Sequence, residues 1–212
     1  GTRAGRKRAL CDDDMGKVFA RLPRYSAVTP AMRRAQELFI LMFLLRGLPF
    51  VDLAYLRKSD LRDNVITYRR RKTGRPLSVT LTPEAMLLLK RQMDVDSSSP
   101  YLFPLLKSSE GTKEAYHEYQ LALRNFNRQL LLLGEVLGLN DKLSSYTARH
   151  TWATTAYYCE VHPGIISEAM GHSSITVTET YLKPFRNRKI DEANMRIVDF
   201  VKRSVENVMF CM

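Results

Sequence analysis

Cysteine is scarce in this chain of 212 residues, with three in all. Cys11, Cys159 and Cys211 are scattered, odd in number and outside any paired motif. That excludes a disulfide framework and a cysteine zinc site, and it suits a reducing compartment. Three other signatures are missing: a glycine-rich phosphate loop, a His-Glu-x-x-His stretch, and the spread of carboxylates a two-metal nuclease needs. No metal and no cofactor are therefore expected, and the acidic run Asp12 to Asp14 reads as a helix start. The longest apolar run, Leu38 to Leu45, is far too short to cross a bilayer. The basic first residues lead into no apolar stretch of the signal-peptide kind.

What is present is ordinary for a folded protein: 45% hydrophobic and 26% charged residues, enough length for one well-buried domain or one domain with a small appendage. The charge balance is less ordinary. Lysine and arginine number 33 against 22 acidic residues, a net of +11. Such a field favours polyanions, because each neutralised phosphate releases condensed counterions. Charge alone leaves open nucleic acid, an acidic membrane surface, or no anionic partner at all.

Residues 1–10 are basic, lack apolar periodicity and read as a linker. With Gly1-Thr2 at the start, the chain is expected to be a fragment whose N-terminal part is missing. Asp12 to Asp14 open a helix that Pro23 stops. Thr29-Pro30 is a cap with a first-turn proline, and the apolar helix that follows runs to Arg46, with Gly47 as its C-cap. Phe50 to Leu56 reads as a turn. The period then changes to two: Val65 to Tyr68 and Leu77 to Leu81 form a hairpin around Thr73-Gly74, with a third short strand near Lys58 to Leu61. Thr82-Pro83-Glu84 starts a helix to about Met93. Asp94 to Glu110 is a loop, and Lys113 to Leu137 is helical, interrupted or ended by Gly134 and Gly138. Ser144-Ser145 caps a helix to about Cys159, and Pro163 opens a short one ending at Gly171. Ser173 to Thr180 turns into a short helix holding Tyr181. The tail carries Ile190, Ala193, Ile197, Val201, Val205 and Val208 on one helical face. The fold class is mainly α with a small antiparallel β-sheet, α+β, over residues 11–212.

The chemistry concentrates late in the chain, in Tyr146-Thr147-Ala148-Arg149-His150-Thr151 and in Met170-Gly171-His172-Ser173-Ser174, with Tyr181 nine positions after His172. Here the sequence resembles the tyrosine recombinase (phage integrase) family, whose second box reads His-x-x-Arg-His-Thr, then Leu-Gly-His-Ser-Ser, then a tyrosine at this spacing. The turn Arg69-Arg70-Arg71-Lys72-Thr73-Gly74 matches the family's β-turn, with Lys72 at its catalytic lysine. Leu45-Arg46-Gly47 and Asp52-Leu53-Ala54 are similar to the first box. The similar regions cover about residues 30–185.

Two positions depart from the pattern. Pro49 stands where the first-box arginine belongs, and Arg46, one helical turn upstream, is the candidate to replace it. Tyr146 stands where a histidine is usual; it shares a helix face with Arg149 and can offer a hydrogen bond but no charge. Taken singly, each member has a plainer reading. Tyr181 is one of ten tyrosines and could sit in the core; His172 could cap a helix; Arg69 to Arg71 could be a solvated strand face, with Arg70 pointing away from the side of Lys72. The functional reading belongs to the constellation.

The resemblance implies the tyrosine recombinase catalytic-domain fold and a DNA strand transferase. Tyr181 would be the nucleophile, assisted by Arg149, His172, Lys72, Arg46 and Tyr146. Arg69, Arg71, Arg75, His150 and Lys183 are the basic side chains expected on the DNA backbone. Implied partners are double-stranded DNA, a homotetramer on paired DNA sites and accessory DNA-bending proteins, with no membrane and no metal or ATP. The implied place is the bacterial cytoplasm, at the nucleoid, in a mobile-element integrase. The part expected to be missing would be a smaller DNA-clamping domain, and the tail from residue 190 would pack on a neighbouring protomer or in cis. Two rivals remain: a type IB topoisomerase acting as a monomer, and a non-catalytic DNA-binding module that kept the fold.

Overall fold

Threonine caps set the frame of the computed structural model, which describes residues 9–22, 27–180 and 187–210. The Thr29, Thr82 and Thr112 hydroxyls accept the backbone N–H three residues on, from Met32, Ala85 and Ala115. They thereby start helices α2 (Pro30–Leu44), α4 (Pro83–Gln92) and α5 (Lys113–Val136). Before α2 comes α1 (Asp12–Phe19), where the acidic run stands in the first turn. Asp14 is buried and accepts hydrogen bonds from Asn140, so its part in the run is structural.

The central element is α2, which packs against α4, α5 and α6 (Ser145–Tyr158). Its inward side chains Phe39, Leu41 and Met42 are fully buried with Leu53, Leu89, Leu130 and Leu133. Burying a side chain of this size contributes about 1.5–3 kcal/mol, so this cluster dominates what holds the unit together. Several elements differ from expectation, two of them in this helical layer. Phe50–Tyr55 is a six-residue helix, α3, and not a turn; it follows Pro49 and turns Asp52 inward. Gly134 does not interrupt α5, because it is buried beside Leu139 and Leu143, and the helix ends only before Gly138 at φ +61°.

The sheet is β1 (Leu61–Arg62), β2 (Val65–Arg69) and β3 (Pro76–Thr80), antiparallel in that order, with Ile66 opposite Val79 and Arg69 opposite Pro76. The short helices α7 (Pro163–Ala169) and α8 (Ile175–Glu179) follow α6 and pack on each other. Leu10, at the end of the expected linker, is buried and its N–H donates to the Thr151 hydroxyl. Residues 182–212 form a separate unit whose described part is α9 (Asn187–Phe210). Ile190, Ala193, Ile197 and Val201 recur there at the expected helical spacing. Among the described residues no helix is long and apolar enough to cross a membrane. The mainly helical, α+β class read from the sequence is the class observed.

Candidate active site

Lys72 from the β2–β3 turn, Tyr146 and Arg149 from α6, and His172 from the α7–α8 loop line one cavity of about 260 Å³. Elements far apart in sequence thus deliver four of the selected side chains to one place. Arg149 is 4% exposed and is held by backbone. Its Nη1 donates to the Gly47 carbonyl at 3.0 Å and its Nη2 to the Met170 carbonyl at 2.8 Å. The Met170 carbonyl caps the C-terminal end of α7, where carbonyls lack partners within the helix and carry partial negative charge, and the Gly47 carbonyl lies in the reversal that follows α2. The plane of the guanidinium is fixed by two elements that do not belong to α6.

Glycine makes this approach feasible at two points. Gly47, at φ +68°, comes so near α6 that a Cβ on it would stand 2.9 Å from the Arg149 Cα. Gly171, at φ +64°, does the same toward the hairpin: its Cβ would stand 2.9 Å from Leu77 Cδ1 and 3.5 Å from Arg70 Cγ. The Thr73 hydroxyl donates to the Gly171 carbonyl at 3.0 Å and ties the turn to this loop. Neither glycine could carry a side chain without moving the groups it presses against.

His172 is buried, and its Nδ1 shares a hydrogen bond with the Thr178 hydroxyl at 2.7 Å. Burial, then the positive charges of Arg149, Arg70 and Lys72, push its pKa down to about 4. At neutral pH the imidazole is therefore neutral within a ring of cations. Such a cavity is built to receive an anion.

Arg70 is the residue that sequence reasoning misplaced. It does not point away from Lys72: it lines the same cavity, 6% exposed, and its Nη1 donates to Asp52 Oδ2 at 2.7 Å. The Asp52 carboxylate is itself buried and also accepts the Arg71 N–H at 3.0 Å. The physical reason is the strand parity. Ile66 is buried and Tyr68 half-buried, and Arg70 continues their face by steps of two. That alternation was the available signal, and the run of three arginines masks it.

Arg46 is not among the residues that line this cavity. The helix ends at Leu44, and Arg46 and Gly47 both take positive φ, so the chain reverses. Arg46 lines a separate groove with Trp152, His162 and Glu168, and does not join Arg149 in the cavity. Tyr146 is 37% exposed at the cavity wall, with its ring 6.4 Å from that of half-buried His150 one turn on. Among the other basic residues, exposed Arg69 donates to the Gly74 carbonyl and Arg75 to the Ser173 carbonyl. Arg71 is paired with Glu110 at 2.5 Å and stacked 3.8 Å over the Tyr55 ring. Tyr181 and Lys183 lie outside the described residues. Thr178, the partner of His172, gives no signal in the sequence, and Asp52, part of the first-box likeness, shows its pairing with Arg70 only in three dimensions.

The phage integrase family model matches residues 23–188. Two tyrosine recombinases named XerA are similar. That of Pyrococcus furiosus is 28% identical over 162 residues, covering 74% of this chain and 52% of the relative. That of Pyrococcus horikoshii is 25% identical over 182 residues, covering 83% of this chain and 56% of the relative. The chain thus spans about half the length of these curated relatives. Among solved structures, the Tn1549 transposon integrase in complex with a circular intermediate DNA superposes with a TM-score of 0.62 at 15% identity, over 90% of this chain and 66% of that one.

Proposed function

The chain belongs to the phage integrase family, and from that membership we propose that it is the catalytic domain of a site-specific DNA recombinase of the integrase kind, acting through a 3′-phosphotyrosyl intermediate. One observation carries this reading: Arg149, His172 and Lys72 converge on a single cationic cavity of a size to admit a phosphodiester.

In this reading the Tyr181 phenol oxygen attacks a DNA phosphorus and the bond to the 5′ oxygen breaks. Negative charge builds on the non-bridging oxygens, where Arg149, permanently charged and planar, meets it. A phenol of ordinary pKa near 10 must lose its proton to attack. Neutral His172 suits the accepting role at neutral pH better than the cationic form would. The departing 5′ oxygen needs a proton, and Lys72 on the hairpin turn is the general acid that supplies it. The products are a 3′-phosphotyrosine and a free 5′-hydroxyl. A 5′-hydroxyl from the partner strand then attacks the phosphotyrosine, and Tyr181 leaves with its proton restored. The energy of the first phosphodiester is conserved in the second, so the chemistry calls for neither ATP nor a metal.

Double-stranded DNA is the proposed substrate, held by the cavity and by Arg69, Arg71, Arg75, His150 and Lys183. A homotetramer on paired sites, with accessory DNA-bending proteins, would align two duplexes. The full protein would add a DNA-clamping domain before residue 11, and α9 would pack on a neighbouring protomer. The test is recombination of a plasmid carrying two copies of the element's ends by the full-length protein. Exchange that Tyr181→Phe abolishes supports the proposal. Relaxation of supercoils without any such site would replace it by a topoisomerase.

A further inference from the structure

We infer that Arg70, delivered from the hairpin turn, is the second catalytic guanidinium of this cavity, acting on the same non-bridging phosphate oxygens as Arg149. The inference rests on the recombinase reading and deepens it. Pro49 lines the cavity but has no donor to offer, and Arg46 lines a different groove. Arg70 fills the place left by both.

Three observations support it. Arg70 is 94% buried in the wall that also holds Arg149, Lys72 and His172, and a buried arginine needs an acceptor for each of its donors. Asp52 takes Nη1, whereas Nε is buried with no acceptor among the described residues. Nε and Nη2 therefore keep donor capacity that Asp52 does not use, the capacity by which a guanidinium grips phosphate oxygens. The position is also fixed before any ligand arrives. Asp52 holds the turn twice, through the Arg70 side chain and the Arg71 N–H, and Gly171 has no side chain to keep Arg70 from the His172 loop. Finally, Arg149, Arg70 and Lys72 all act to lower the pKa of His172, so the charge of Arg70 reaches into the cavity as that of Arg149 does.

The rival is a scaffolding role, in which the Asp52–Arg70 pair only braces the hairpin. Substrate chemistry separates the two. A methylphosphonate at the scissile position replaces one non-bridging oxygen by a neutral methyl group, and a guanidinium that neutralises that oxygen loses most of its task. The experiment compares strand cleavage of a phosphodiester and a methylphosphonate duplex by full-length wild type, Arg70→Ala, and Arg70→Ala with Asp52→Ala. The double variant leaves no carboxylate stranded, and thermal melting checks the fold of each protein. On the phosphodiester both variants are expected to cleave about 10²–10³-fold more slowly, the range for loss of one transition-state donor. On the methylphosphonate the gap to wild type is expected to shrink to less than about tenfold, one decade of transition-state stabilisation. Equal loss on both substrates makes Arg70 a scaffold and overturns the inference, as does unimpaired cleavage of the phosphodiester. Failure of the underlying reading looks different: wild type itself would give no Tyr181-dependent cleavage.

Discussion

Gly47 and Arg149, 102 residues apart, meet so closely that the Gly47 carbonyl accepts from Arg149 Nη1 at 3.0 Å and a Cβ on Gly47 would stand 2.9 Å from the Arg149 Cα. The end of α2 is thus a seat for the arginine of α6. Gly47→Ala would force a side chain into left-handed backbone and against α6 at once. The strain alone is about 1–3 kcal/mol, and the displaced seat loosens Arg149. Urea unfolding is expected to show at least that loss, together with a fall in strand cleavage. An alanine variant as stable and as active as wild type would mean that the close approach is dispensable.

The buried pair Asp52–Arg70 supports a second prediction. Removing one member of a buried ion pair strands the other and costs about 3–5 kcal/mol, whereas removing both is far milder. Asp52→Ala is therefore expected to be strongly destabilised in urea unfolding, and Asp52→Ala with Arg70→Met to regain most of the loss. Additive losses in the double variant would show that the two side chains are not coupled.

His172 gives a pH dependence whose sign is fixed. Its folded pKa, about 4, lies below the ordinary value near 6.5 because of burial and the cations around it. The unfolded chain therefore binds this proton first as the pH falls. The contribution of the neutral histidine is fully present above pH 6.5 and is lost down to pH 4, by up to about 3 kcal/mol. The difference in unfolding free energy between wild type and His172→Asn should shrink by that order across the window. An NMR titration of the His172 ring should also move upward in Arg70→Ala, since a like charge has gone. A ring titrating near 6.5 in both proteins contradicts the placement of His172 among the cations.

How much of this was readable from the residues depends on what each position needs. Arg149, His172, Lys72 and Tyr146 are picked out by the motifs that resemble the family, and the structure brings these four to one cavity. The helix starts at Thr29 and Thr82 are equally plain in the sequence, since capping is a local interaction. The positions misread depend on contacts distant in sequence. Arg46 is one turn from Pro49 only on a continuous helix, whereas α2 ends at Leu44 and the reversal at Arg46 and Gly47 sets Arg46 in another groove. Arg70 looked like one of three solvated arginines until Asp52, on a helix read as a turn, gave it a buried partner. A buried charge is invisible in a sequence when its counter-charge is 18 residues away on another element.

Lys72 on the turn is expected to act on the leaving group alone. Lys72→Ala should slow cleavage of an ordinary phosphodiester by about 10²–10⁴-fold, the usual worth of a general acid. It should cleave a 5′-bridging phosphorothiolate nearly as well as wild type, because a thiolate leaves without a proton. Equal impairment on both substrates would assign Lys72 to phosphate binding instead.

The tail offers a prediction about assembly. Deleting residues 190–212 should reduce complexes on paired DNA sites more than binding to a single site, both read by gel mobility. Equal loss of the two would argue against exchange of α9 between protomers.

The most decisive measurement concerns Tyr181. The full-length protein is incubated with DNA from the ends of its element carrying a 5′-bridging phosphorothiolate, and SDS-resistant protein–DNA adducts are resolved on a gel. An adduct that forms with wild type and disappears with Tyr181→Phe is the expected result. An adduct that survives Tyr181→Phe, or no adduct despite demonstrated binding to the same DNA, would contradict the phosphotyrosyl mechanism and leave a DNA-binding protein without this chemistry.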